Sequence, residues 1–264
     1  MVVGSNPTRP TNNFKHSMKN KLTNIIASLL LASAPAFAGE SAKAPPVVVT
    51  ASESRLYGEV SAGYASENLW RGVSLGDDLV FGQLSLSYDV TESTSLELQG
   101  FYGTFDSFDE DQVDGRVGVR QKFGKLSVLG GYSVFDFPDA LGGTQQELYG
   151  GVEYALPFNI VLGAVYNFSL EDDVKDYTEV SVSAPWVLAV DKEGQPTQSL
   201  VGKATQGLYL EDGEAVHTTL SLAYNYSATK ALTVSPFVEY NFVQDDYIQQ
   251  EDGEYWGVKA SFRF

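Results

Sequence analysis

The chain has 264 residues, with 34 Asp or Glu against 17 Lys or Arg and a formal net charge of −17. A surface of that sign repels nucleic acid, and the absence of cysteine excludes disulfides and Cys-based metal sites. It holds no run of about 18 apolar residues, so a bilayer-spanning helix is excluded as well.

Residues 1–38 carry the bases Arg9, Lys15, Lys19 and Lys21 and no acid. Within them, Met18-Lys-Asn-Lys-Leu is a basic n-region, Ile25 to Ala34 an apolar h-region, and Ala36-Phe37-Ala38 a small-x-small cleavage site. Residues 1–38 are therefore expected to be a signal peptide, with Met18 the more natural initiator and Gly39 the mature start. Residues 39–54, with Pro45-Pro46, read as a flexible periplasmic lead-in. Their Val47-Val-Val-Thr-Ala51 is similar to the segment by which TonB-dependent receptors engage their energising partner, but the chain has no room for a 22-stranded barrel.

From Leu56 onward apolar residues alternate with small or polar ones in runs of about ten, the length a tilted strand needs to cross a membrane. Examples are Leu84, Leu86, Tyr88 and Leu126, Val128, Tyr132, Val134, with Trp256, Val258, Ala260, Phe262, Phe264 at the end. Period two means strands. They are expected near 55–65, 79–88, 95–104, 115–123, 125–135, 146–154, 159–168, 176–187, 198–210, 215–226, 231–242 and 254–264. The ninth is blurred by Pro185 and the polar stretch Asp191 to Gln198.

Connections alternate in length. The short ones at 89–94, Gly124, 155–158 and 227–230 contrast with longer ones at 66–78, 105–114, 136–145, 169–175, 211–214 and 243–253, which hold most of the acid. Short periplasmic turns and longer external loops are the topology of an outer-membrane barrel, and the external rim of this one is acidic. Outward aromatics gather at strand ends. Tyr64, Tyr102, Tyr166, Phe168, Tyr240 and Trp256 form one belt, and Tyr88, Phe123, Tyr154, Trp186, Tyr224, Tyr226, Phe262 and Phe264 the other. Two belts suit two membrane interfaces, and a soluble sandwich has no use for them. The expected fold is thus all-β, a transmembrane antiparallel up-and-down barrel of about twelve strands over 55–264.

Inward positions include the acids Glu59, Glu97, Glu147, Glu153, Glu179 and Glu239, the bases Arg116, Arg120, Lys203, Lys259 and Arg263, and His217. Hairpin register brings Glu97 towards Arg120 and Glu239 towards Lys259. Two readings stand side by side: ion pairs that close the lumen, or a narrow wet eyelet whose opposed charges orient a small solute. Twelve strands lie between barrels that side chains fill and barrels that hold an open channel.

The string Tyr64-Ala-Ser-Glu-Asn-Leu-Trp-Arg-Gly-Val-Ser74 resembles the first hairpin of the TorF-type porin family of bacterial outer-membrane proteins, whose aromatic-Arg-Gly-[Ile/Val]-Ser run is matched by Trp70, Arg71, Gly72, Val73 and Ser74. That resemblance implies a porin-like barrel with no established solute. Arg71 is the candidate constriction charge at the mouth; the plainer reading leaves Trp70 at the interface and Arg71 solvated. Phe262 and Phe264 after an alternating strand resemble the C-terminal signature of outer-membrane proteins, which implies insertion by the common barrel assembly machinery.

The function expected is passive passage of ions or small hydrophilic solutes across the outer membrane, among lipid and lipopolysaccharide. A structural or adhesive barrel without a pore is the alternative, and the oligomeric state is open. Hydrolases on such barrels need a catalytic histidine, and the mature chain has only His217, beside Thr219 and Ser221, with no nucleophile motif. No catalytic residue, cofactor or dedicated metal site is expected, although acidic clusters such as Asp109-Glu-Asp111 and Glu171-Asp-Asp173 suit weak Ca²⁺ or Mg²⁺ contacts to lipopolysaccharide phosphates.

Overall fold

A computed structural model describes residues 55–105, 111–137, 143–171, 174–209, 213–244 and 252–264. The leader, the lead-in, Asp109 and Glu110 of the first acidic cluster, and Asp172 and Asp173 of the second lie outside them. Twelve strands follow in chain order: β1 (Leu56–Trp70), β2 (Val73–Asp89), β3 (Thr94–Thr104), β4 (Gln112–Phe123), β5 (Leu126–Asp136), β6 (Thr144–Ala155), β7 (Val161–Ser169), β8 (Tyr177–Val190), β9 (Pro196–Tyr209), β10 (Glu214–Ser227), β11 (Leu232–Val243) and β12 (Gly253–Arg263). Each pairs antiparallel with its sequence neighbours, and β1 closes the barrel on β12 from Glu59↔Arg263 to Ala65↔Gly257. Closure leaves no open edge, which is what a sheet must achieve where no water is available to its N–H and C=O groups.

The two faces differ as the alternation requires. Leu96, Leu98, Val117, Val119, Leu148, Val152, Val180, Leu220, Leu222 and Val258 point outward and exposed, and the belts expected at both rims are there, from Tyr102 and Trp256 to Phe123 and Phe262. So continuous an apolar outer face is stable only in contact with lipid; this is an outer-membrane barrel. The external belt is tied to the acidic rim: the hydroxyls of Tyr64, Tyr102 and Tyr166 donate to Asp78, Asp111 and Asp176. Part of the acid that looks merely solvated in the sequence therefore anchors girdle rings.

The largest departure from the expected strands is at 66–78. Instead of an external loop, β1 and β2 continue as one hairpin to Trp70↔Val73, turning on Arg71 (φ 47°) and Gly72 (φ 82°). Two central residues of positive φ match the twist of antiparallel strands, so the turn can be this tight. The pairing slips between Glu67 and Leu69, where an irregularity of this kind bends the ribbon. At the other end of the molecule the blurred ninth strand forms from Pro196, although its pairing with β8 slips at Val187, Ala189 and Val190, and the polar stretch narrows to a turn before it. There the Asp191 side chain accepts from the backbone N–H groups of Glu193 and Gln195, and Gly194 takes φ 79°.

Candidate functional site

The hairpin does not stand above the barrel. It crosses the lumen to strands that are far from β1 and β2 around the circumference. Arg71 Nη2 donates to both oxygens of Glu147 on β6, at 2.7 and 2.8 Å, with both side chains almost wholly excluded from water (0% and 2% exposed). Its guanidinium lies 4.3 Å from the ring centre of Tyr177 on β8 and 5.3 Å from that of Trp70, a cation held between two π faces. Trp70 in turn packs on Phe135 and Phe137 at the external end of β5, with centroids 6.1 and 4.6 Å away.

A chain of hydrogen bonds fixes the tip from its other side. Asn241 Nδ2 on β11 donates to the Gly72 carbonyl at 2.6 Å, which orients the amide so that its oxygen accepts from the Thr219 hydroxyl at 2.8 Å. The Thr219 oxygen is left to accept from His217 Nδ1 at 3.0 Å, and His217 Nε2 then accepts from the Tyr177 hydroxyl at 2.8 Å. The geometry thus assigns His217 as the neutral Nδ1–H tautomer. Gly72 lies directly against the His217 ring, where any Cβ would collide. On the near side Asn68 donates to Gln112 (2.7 Å), which donates to Asp114 (2.7 Å).

These contacts divide the lumen by depth. Around the tip, Gln112, Glu147, Asn167, Tyr177, His217 and Asn241, drawn from β4, β6, β7, β8, β10 and β11, are all essentially inaccessible. The external half is therefore crossed by the chain's own first hairpin. Towards the periplasmic end the inward charges stay partly wet, with side-chain exposures of 29% for Glu153, 23% for Glu59 and 18% for Lys259. Here they pair along the wall: Arg120 with Glu97 (2.6 Å) and with Glu153, Arg263 with Glu59 (2.8 Å) and Lys259 with Glu59 (3.8 Å), whereas Lys203 meets Glu179 (3.4 Å) nearer the tip, where both are buried. Arg116 stacks on Tyr149 at 3.5 Å, and Tyr149 lies flat over Gly118 and Gly131, where the missing side chains let the ring hug the sheet.

Every inward candidate from the sequence therefore sits in the lumen wall or at the tip, but not always as paired there. Glu97 does meet Arg120. Glu239 does not meet Lys259: in the register, Glu239 faces Tyr255 and Lys259 faces Ser235, four residues away or about 13 Å along the strand. Lys259 turns instead across the barrel seam to Glu59 on β1. The solvated reading of Arg71 and interfacial reading of Trp70 are overturned, since both are fully buried. Phe262 and Phe264 are exposed at the periplasmic rim, and Phe264 is backbone-paired with Gly58.

Asn68, Gln112, Asp114, Tyr177 and Asn241 complete the docking surface and were not singled out in the sequence. Parity was the available signal for Tyr177 and Asn241, which share the inward face with Glu179 and Glu239. Gln112 and Asp114 were hidden by taking 105–114 as loop, because β4 begins three residues earlier than expected.

No family model matches the chain, and no curated protein does. Solved structures do resemble it. An outer membrane channel from Pseudomonas putida F1 superposes with a TM-score of 0.52 at 13% identity, over 85% of this chain and 98% of that one. The NanC porin gives 0.51 at 12% identity (78% and 98%), and LpxR from Salmonella typhimurium 0.50 at 7% (78% and 99%). At such identities the likeness is one of fold: a twelve-stranded outer-membrane β-barrel.

Proposed function

We propose that the protein is an outer-membrane channel for passive passage of ions or small hydrophilic solutes, in which the first hairpin sets the opening. The observation that carries this reading is the interior: a closed barrel with a polar and charged lumen, wet towards the periplasm and stopped at the outside by one ribbon rather than filled throughout. The Trp70 to Ser74 run and the terminal Phe264 support placing it with the TorF-type porins. The same reading implies lipid, lipopolysaccharide and the barrel assembly machinery as its surroundings. A barrel without a pore is the second reading, favoured by the dry external half. For catalysis the geometry offers little support: both ring nitrogens of His217 are held by hydroxyls, and the carboxylate that a Ser/His/acid set requires is not bonded to it.

Conductance of the refolded chain in a planar bilayer, with reversal potential read under a salt gradient, decides between the first two. Discrete ion-selective openings are expected. Silence at all voltages would leave a structural barrel.

A further inference from the structure

Where the hairpin meets the β4–β6 wall, four buried polar atoms have no hydrogen-bond partner among the described residues: Trp70 Nε1, Asp114 Oδ1, Gln145 Oε1 and Arg116 Nη2. Trp70, Asp114 and Gln145 meet around one inward row, whereas Arg116 starts from the next row and reaches to Tyr149, deeper along the wall. Asp114, Phe135 and Gln145 are neighbours across β4, β5 and β6, and Arg116, Ser133 and Glu147 form the next inward row. Trp70 stands on Phe135, and Arg116 lies on Tyr149. Trp70, Asp114 and Gln145 are each more than nine-tenths buried.

The seam thus combines one donor, two acceptors and several aromatic faces, with the Arg116 donor deeper along the wall. A carboxylate solute would answer only the donors, and an ammonium only the acceptors. A hydroxyl answers both, since it donates and accepts, and hydroxyls carried on a carbon frame also present C–H faces to aromatic rings. We propose that this seam binds hydroxyl groups, and that neutral polyhydroxylated solutes such as sugars are recognised there beneath the hairpin. The proposal rests on the channel reading and names its solute class. Access requires the tip to shift, and the slip in pairing between Glu67 and Leu69 gives it a bend while β1 stays paired with β12 from Glu59 to Ala65. Water offers the same hydroxyl chemistry, so the experiment must separate the two.

The chain has three tryptophans, and Trp186 and Trp256 are exposed on the lipid face. The double variant W186F/W256F leaves Trp70 as the sole indole reporter. Refolded into liposomes, it is titrated with glucose, with gluconate and potassium chloride as charged controls, while swelling in glucose is followed in parallel. A saturable glucose-dependent change in Trp70 emission, absent with the controls and weakened about tenfold by adding Gln145→Met, is expected. If Gln145→Met does not refold, Trp70→Phe, which removes the indole N–H and keeps an apolar ring, is read by swelling and should slow glucose entry. Ion conductance with no glucose response in emission or swelling would overturn the proposal and leave water as the seam's only occupant. An equal response to gluconate would overturn it too. Glucose binding without conductance would uphold the seam and remove the channel reading.

Discussion

The Arg71–Glu147 pair offers the sharpest test of the hairpin as closure. With both side chains almost fully excluded from water, solvent does not screen the pair, and removing one partner takes this bidentate contact from the other while it stays buried. Such a loss costs about 3–5 kcal/mol in a protein interior. The cost falls on the docked state alone, because a displaced hairpin returns both groups to water. At roughly 1.4 kcal/mol per factor of ten, even the lower figure raises the undocked-to-docked ratio by more than about a hundredfold. Glu147→Gln keeps the side-chain shape and should therefore raise the open probability in single-channel recordings, while the conductance of the open state stays near that of the parent. Arg71→Met should do the same. The double variant with Met at both positions removes both charges and should recover much of the closed behaviour, since a buried ion pair can be replaced by apolar residues at little net cost. Parental open probability in both single variants, with the barrel correctly folded, would refute the closure.

Gly72→Ala combines a strained positive φ with a collision against His217, so it should undock the tip without breaking any ion pair; increased quenching of Trp70 by acrylamide would report it, and unchanged quenching would count against the docking geometry. At the periplasmic turn, backbone N–H bonding from Gln195, aided by Glu193, holds the Asp191 carboxyl below the usual carboxylate range. A depressed folded-state pKa stabilises above the unfolded value near 3.8 and is lost as pH falls through the folded one. Urea unfolding should accordingly show Asp191→Ala less stable than the parent at pH 7 and the two converging below about pH 4. Deleting Phe264 should leave refolding into detergent intact, as it packs at an exposed rim, but lower the amount of heat-modifiable barrel in outer membranes of cells; equal amounts would remove its role as an assembly signal.

Strand number, chain direction and the division into lipid-facing and inward residues were legible in the sequence because period two and the interface belts both follow from one face meeting lipid. The hairpin was not. Glu67, Asn68, Arg71, Asp77 and Asp78 give 66–78 the polarity of an exposed loop, and nothing in a local pattern separates a ribbon held in water from one held by polar groups of distant strands. The partners of Arg71 and Gly72 are 76 and 169 residues away, at Glu147 and Asn241. Pairing across β11 and β12 failed for a related reason: Glu239 and Lys259 share a face, and only the register of the 244–252 connection decides how far apart they lie.

The lumen charges are arranged differently at the two depths of the barrel. At the external end a fully dry pair fastens a ribbon across the lumen, and removing the ribbon would uncover Asp114, Glu147 and Arg116 together. At the periplasmic end Arg120 and Arg263 each lie along the wall against an acid, as Lys203 does in mid-barrel, which neutralises the lining without spanning it. A barrel meant to be filled would have no reason to lay Tyr149 flat on Gly118 and Gly131, a placement that keeps a large ring out of the interior. Wall and closure are thus built by different rules within one chain: the wall by residues that avoid the axis, the closure by a hairpin whose tip reaches five other strands through polar and aromatic contacts.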